Sequence, residues 1–188
     1  MMEDLMTDYI PGLKVGYPPK IIDDSIMETI MGKSKEILEK KAFYHKDKEF
    51  LNKDGIDISN EVFFIIQVCE NILTTNKISF NKDVWYIDLI RYNLSGEKNV
   101  DSGLCWHNEN VNYSFPSISV LMYLRKEKTI QGGDLRYKDT KKEKRKIAIS
   151  ACNDNCTIII MDGNIYHKPE NCSGFGKREL IIASFEKK

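Results

Sequence analysis

The amino-acid sequence predicts an α+β fold, with N-terminal helices packed on one face of a double-sheet jelly roll. Two observations carry the prediction. Before residue 80, apolar residues recur every three to four positions, the period of a helix face. After it, the chain breaks into short runs rich in β-branched and aromatic residues, divided by turn signals. Many strands without helices between them favour a sandwich or barrel over a parallel α/β sheet. One domain over residues 1–188 is the simplest division, with 1–80 mainly helical support and 81–188 the jelly-roll core. A chain of this size buries roughly 70% of its unfolded surface and needs no staples to fold.

The first helix is expected in "DDSIMETIMGKSKEILEKKAF" (23–43), where Ile26, Met27, Ile30, Met31, Ile37 and Leu38 form the apolar face. Ser25 with Glu28 three positions on fits a capping box at its start. The second is expected in "SNEVFFIIQVCENIL" (59–73), with Val62, Ile65, Ile66, Cys69 and Leu73 on one face and Ser59 or Asn60 as cap. Asp54-Gly55 marks a turn between them. Strands are expected in "DVWYIDLIRY" (83–92), "SISVLMYL" (117–124), "DLRYK" (134–138), "KIAIS" (146–150), "CTIIIMD" (156–162) and "RELIIASF" (178–185). Ser95-Gly96, Gly132-Gly133 and Asp162-Gly163 would separate them, and "NLSGEKNVDSGL" (93–104) reads as a long loop.

Composition excludes several classes. Lys and Arg number 28 against 28 Asp and Glu, so no global charge draws the chain to nucleic acid or an acidic membrane. The stretch 125–146 carries ten Lys or Arg against four acids, a net of +6, and reads first as a solvated hairpin surface. Five cysteines (Cys69, Cys105, Cys152, Cys156, Cys172) are odd in number and contain no CxxC pair, which disfavours a disulfide framework or a zinc ribbon. The acidic "MMEDLMTDYIPG" is not a secretory signal, and the apolar runs are too short to span a bilayer. A reduced, cytoplasmic protein is the expectation.

The chemistry concentrates in few residues. The chain has three histidines, and "CWHNEN" places His107 one residue from Glu109. If that segment is extended, the two side chains point to the same side. His167, in "MDGNIYHKPEN", follows an apolar strand and its turn, at what would be a barrel mouth. Two ligands from one strand and a third from a distant one make a 2-His-1-carboxylate facial triad, which suits Fe(II) and leaves coordination positions open. An H-x-E alone is weak, since both residues are common on surfaces. Arg178 opens "RELIIASF" eleven positions after His167. Turned inward, its fork matches a carboxylate; turned outward, it would pair with Glu179 or Glu186. Ser119, Leu121 and Tyr123 share one strand face, and Tyr92 shares another with Ile90 and Asp88. Each phenol is a donor for a desolvated carboxylate or an ordinary packing residue. His45, in "AFYHKDK", reads as a solvated surface histidine.

"WHNEN", "SVLMYL", "GGDLRY" and "IIIMDGNIYHKPENCSGFGKRELIIASF" together resemble the iron- and 2-oxoglutarate-dependent dioxygenases, nearest the prolyl-4-hydroxylase-like branch. The resemblance covers residues 84–186 and implies a double-stranded β-helix, a jelly-roll, cupin-like barrel. It implies that His107, Glu109 and His167 hold Fe(II), and that Arg178 binds the far carboxylate of 2-oxoglutarate. It also implies that Tyr123 hydrogen-bonds the same carboxylate and that Tyr92 lines the cosubstrate pocket. Glu109 departs from the family's usual aspartate by one methylene, while retention of a carboxylate argues against a halogenase. Fe(II), 2-oxoglutarate and O2 are the implied cofactor and cosubstrates, with ascorbate a candidate auxiliary. The implied reaction hydroxylates a C–H bond, with release of succinate and CO2.

The prime substrate expected first is a protein or peptide side chain such as proline. A free amino acid or other small molecule is the alternative, and a deep closed pocket would favour it. Nucleic acid is disfavoured, because the demethylase branch would carry a second arginine soon after Arg178 and "ELIIASF" has none. A non-catalytic cupin-like barrel, or a zinc site drawing on Cys105, is the reading from a different class. The oligomeric state is not legible.

Overall fold

The structure is a computed structural model that describes residues 6–32, 37–100, 105–111, 113–138, 146–149 and 156–188. In chain order its elements begin with β1 (Met6–Ile10), β2 (Leu13–Gly16), α1 (Asp24–Met31), β3 (Leu38–Tyr44) and α2 (Ser59–Thr75). There follow β4 (Phe80–Val100), a 3-10 turn (Glu109–Val111), β5 (Ser117–Lys126), β6 (Gln131–Gly132) and β7 (Leu135–Lys138). The last are β8 (Lys146–Ile149), β9 (Thr157–Asp162), β10 (Tyr166–Pro169) and β11 (Cys172–Lys187).

A main sheet of eight strands runs β1-β2-β9-β5-β11-β4-β3, with β6 attached to β11. A smaller sheet of three strands runs β10-β7-β8. Every pairing is antiparallel. Strand alternation sorts the apolar residues into two cores. Ile87, Leu89, Val120, Met122, Ile158, Ile160, Ile181 and Phe185 meet Met27, Ile30, Ile65 and Cys69 of the helices. Their neighbours along the strands, including Tyr92, Leu121, Tyr123, Ile159 and Leu180, face Leu135, Tyr137 and Ile149 of the small sheet. The jelly-roll-like sandwich is therefore as expected. No helix among the described residues is long and apolar enough to cross a membrane.

The N-terminal part is not mainly helical, because β1, β2 and β3 alternate with α1 and α2. The helix expected over 23–43 stops at Met31. Gly32 takes φ +68°, a conformation in which a side chain is strained, and its N–H bonds the Glu28 carbonyl. Beyond it, β3 pairs with β4 from Leu38↔Tyr92 to Tyr44↔Tyr86. Ile37 and Leu38, two positions assigned to the helix face, are exposed. Only Phe43 of β3 joins the helix-side core, so the strand obeys period two and the apparent period of 3.6 across it is coincidental.

The caps also differ. Asp23, not Ser25, caps α1 by accepting the N–H groups of Ser25 and Ile26. Asp57, not Ser59 or Asn60, accepts the Ser59 N–H at the start of α2. Both carboxyls are held below their ordinary values by the Ser hydroxyls and N–H groups they accept from. Residues 93–100, expected in a loop, belong to β4 and pair with β11, and Ser95-Gly96 lies opposite Phe175 and Gly174 rather than ending the strand. Residues 101–104 of the expected loop and 139–145 of the basic stretch lie outside the described residues, as does Cys152. In the described part of that stretch, Arg125 pairs with Asp24, Lys126 with Asp134 and Arg136 with Glu170.

Candidate metal centre and cosubstrate pocket

His107 and Glu109 do not share a regular strand, as the extended reading required. His107 makes an isolated antiparallel bridge with His167, each backbone N–H donating to the other's carbonyl at 3.1 and 2.8 Å. Glu109 opens the 3-10 turn that follows. The convergence survives the change of backbone. The Glu109 Oε1 atom lies 3.7 Å from His107 Nε2 and 3.3 Å from His167 Nε2, and one ligand atom from each residue falls within 4.8 Å of the others. Two donors about 2.1 Å from one ion at a right angle stand about 3 Å apart, so the three fit one face of an octahedron with modest contraction.

Each imidazole is oriented by its own chain. His107 Nδ1 lies 2.8 Å from the Cys105 carbonyl, and His167 Nδ1 lies 3.0 Å from the Ile165 carbonyl. A carbonyl can only accept, so Nδ1 carries a proton and Nε2 is the ring nitrogen left to offer a lone pair to a metal. Burial pulls the Glu109 carboxyl upward, but the facing imidazoles more than offset this and hold it well below the carboxylate range. The same carboxylate holds His107 above its ordinary value against burial. Cys105 contributes its carbonyl here, and its thiol is not part of the converging set.

Asn110 ties the two ligand-bearing segments together. Its N–H donates to the Gly163 carbonyl, its Nδ2 donates to Asn164 Oδ1 at 2.6 Å, and its Oδ1 accepts from the Ser117 N–H. A Cβ at Gly163 would run into Asn110 Oδ1 and Ser117 Oγ, which accounts for a glycine in the turn leading to His167. Sequence reasoning passed over Asn110. Its signal was the amide next to Glu109 in "HNEN", which spacing alone does not distinguish from a solvated side chain.

The triad stands on the wall of a half-enclosed cavity of about 250 Å³ between the two sheets. Arg178 enters it from β11 and is only 2% exposed. Its Nη2 donates to the Gly133 carbonyl at 2.6 Å, and its guanidinium carbon lies 5.2 Å from the ring centres of both Tyr92 and Tyr123. Its Nε is buried without a hydrogen-bond partner. Among the described residues no carboxylate lies within ion-pair distance of it. Glu179 faces the opposite side of the sheet, toward Arg91, and Glu186 accepts from Asn81, so neither expected outward partner engages Arg178.

Gly133 is required beside it. The residue sits at φ +79°, and a Cβ there would lie 2.7 Å from Arg178 Nε. Burial raises the Tyr92 and Tyr123 hydroxyls against the opposing pull of Arg178, so both remain phenols able to donate. All six residues singled out from sequence therefore line one cavity. His45 is exposed and outside its lining.

Four further residues line the other end of the cavity: Lys40 and Tyr44 of β3, and Tyr86 and Asp88 of β4. Lys40 Nζ pairs with Asp88 Oδ2 at 2.6 Å, and the Tyr86 hydroxyl donates to Asp88 Oδ1. Burial raises the Asp88 carboxyl, the Lys40 and Tyr86 contacts opposing it. Asp88 was placed on the Tyr92 face from sequence but given no role. A carboxylate inside "WYIDLI" is the signal that marks it.

No protein-family profile matches the sequence, and no curated protein matches it. Solved structures do match by fold. One is IDO from Bacillus thuringiensis, 12% identical, with 95% of this chain and 94% of that one covered and a TM-score of 0.61. Another is an oxidoreductase of the 2OG-Fe(II) oxygenase family from Burkholderia pseudomallei, 8% identical, covering 95% and 85%, with a TM-score of 0.63. A third is a Trichoplax adhaerens prolyl hydroxylase in complex with a hypoxia inducible factor peptide fragment, 12% identical, covering 94% and 84%, with a TM-score of 0.52. The chain has the fold of the 2-oxoglutarate/Fe(II) oxygenases and prolyl hydroxylases. Identity this low carries the fold and not the substrate.

Proposed function

We propose that this chain, as one domain over residues 1–188, is an Fe(II)- and 2-oxoglutarate-dependent dioxygenase that hydroxylates a C–H bond. The observation that carries the reading is the Arg178 guanidinium, buried without a carboxylate partner among the described residues in the same cavity as the His107–Glu109–His167 cluster. A buried cation is costly unless paired, and an orphaned Nε beside two phenol rings suits a diacid whose other end reaches a metal.

In this reading His107, Glu109 and His167 hold the iron through two Nε2 atoms and an ionised carboxylate. The Cys105 and Ile165 carbonyls keep the imidazoles in the tautomer that ligation needs. Arg178 and the Tyr123 hydroxyl bind the far carboxylate of 2-oxoglutarate, with Tyr92 lining the pocket. Leu121, Leu135 and Leu180 form apolar walls that exclude water. Iron, with 2-oxoglutarate and O2, supplies the oxidising chemistry that ends in a hydroxylated product, succinate and CO2. A non-catalytic barrel would leave Arg178 buried for no return, and a zinc site drawing on Cys105 would need a thiol in the cluster.

For the prime substrate, the described flank of the cavity supports a small molecule. Residues 93–100, expected as a loop, are paired into the main sheet, and the Lys40–Asp88 ion pair lines the cavity beyond the triad. A peptide side chain such as proline is the second reading, favoured by the fold shared with the peptide-bound Trichoplax hydroxylase. The direct test is succinate release from purified protein. It should require both Fe(II) and 2-oxoglutarate and disappear in His167→Ala; undiminished release in that variant refutes the assignment.

A further inference from the structure

The iron and 2-oxoglutarate reading uses one end of the cavity and leaves the other unexplained. Tyr92 and Asp88 lie on the same face of β4, four residues apart, which at about 3.3 Å per residue separates them by roughly 13 Å. Asp88 is 6% exposed and is held by Lys40 and the Tyr86 hydroxyl, a charged pair that the iron and 2-oxoglutarate reading gives no task. Its partner Lys40 is half exposed and sits on β3, the edge strand at the cavity mouth. Directly across from Asp88 in the β3–β4 ladder stands Ala42, small and exposed. Tyr44 and Tyr86 pack with ring centres 4.6 Å apart, and Tyr113 continues the aromatic wall 5.5 Å beyond Tyr86.

We infer that this end of the cavity recognises a zwitterionic prime substrate, a free α-amino acid, with its ammonium on Asp88 and its carboxylate on Lys40. The inference rests on the dioxygenase reading only for what happens next, namely oxidation of the side chain that then points toward the triad. Its physical basis is complementarity. Asp88 and Lys40 together are neutral, so a net-charged ligand leaves one of them worse off, whereas a zwitterion pairs with both. The tyrosine faces favour an ammonium beside the carboxylate. Lys40, on a flexible stem with its head in water, can swing from Asp88 to an arriving carboxylate at little cost. A residue inside a peptide offers neither charge and so gains nothing from separating the pair.

The test is anaerobic calorimetric titration of the Fe(II)-loaded full chain, first with 2-oxoglutarate and then with each of the twenty free L-amino acids. At least one free amino acid should bind. Its N-acetyl and its carboxamide derivatives should each bind about tenfold or more weakly, the loss of one charge-assisted bond. In Asp88→Asn the penalty for acetylation should vanish, and in Lys40→Met the penalty for amidation should vanish. Penalties that persist in the folded variants overturn the inference, as does a blocked proline peptide that binds as tightly as any free amino acid. Binding of 2-oxoglutarate with no amino acid binding sinks this inference and leaves the dioxygenase. Asp88-dependent amino acid binding without 2-oxoglutarate binding sinks the dioxygenase and leaves this site.

Discussion

Arg91 and Arg178 are both buried, and they stand one position apart across the β4–β11 ladder, where Arg91 is opposite Glu179 and Tyr92 is opposite Arg178. Their surroundings are opposite. Arg91 faces the helices, and its Nε donates to Glu179 at 2.7 Å while its Nη1 reaches Glu28 at 3.2 Å and the Gly32 carbonyl at 3.3 Å. It belongs to a row of alternating charge, Glu39, Arg91, Glu179 and Arg125, that crosses four adjacent strands in register. Arg178 faces the cavity between two tyrosines and a glycine carbonyl. The first guanidinium is neutralised by the fold itself. The second is positioned by the fold and left for something else to neutralise. That difference separates a structural charge from a proposed ligand-binding one more sharply than burial does.

The comparison can be broken from either side. The largest effect should come from Arg91→Met, which leaves the wholly buried Glu179 only the longer contact to Arg125 at 3.9 Å and should cost about 3 kcal/mol in denaturant unfolding. Arg178→Met strands no carboxylate, so its unfolding free energy should stay within about 1 kcal/mol of the parent. Its 2-oxoglutarate affinity, read by calorimetry, should fall roughly thirtyfold or more. Equal stability losses in the two variants would erase the distinction.

Gly133→Ala sharpens the cavity side. A methyl group at φ +79° should cost about 1–2 kcal/mol and displace the Arg178 fork, weakening 2-oxoglutarate binding while the metal still binds. The smallest effect concerns pH. The Asp88 carboxyl is raised by burial above its ordinary 3.8, so the folded state holds its proton more tightly than the unfolded chain does. Its contribution is fully present below the unfolded value and is lost as pH rises through the folded one. Stability of the native chain relative to Asp88→Asn should therefore grow as pH falls toward 3.8, as thermal melts across that range would show.

Much of the site was legible because local rules wrote it. Period-two alternation in "SISVLMYL" and "VWYIDLIRY" put Tyr123 and Tyr92 on the inner face, and that is where they lie. Turn chemistry marked the glycines at 132 and 133, although what each makes room for, the Asn171 carbonyl and the Arg178 guanidinium, lies in remote segments of the chain. The failures share a cause. The stretch 23–43 has a helix's apolar spacing, yet its second half became an edge strand because β4 offered a partner. "CWHNEN" looked like a strand, yet only His107 bridges, and the partner is the other histidine. Asp88 was marked only as a carboxylate in an apolar run, and Lys40 and Asn110 by nothing local, since their partners are remote in the chain.

From residue order came the jelly-roll pattern and the candidate ligands and arginine, because spacing and hydrophobic period are properties of neighbours, while the two phenols were singled out by the family resemblance. Which buried charge would find its counter-ion inside the protein was settled only by strand register. Arg91 and Arg178 occupy similar apolar runs, and the face on which each emerges follows from pairings with segments many residues away. Coulombic satisfaction is decided by distance in space, and the chain had to fold before one guanidinium met Glu179 and the other met an open cavity.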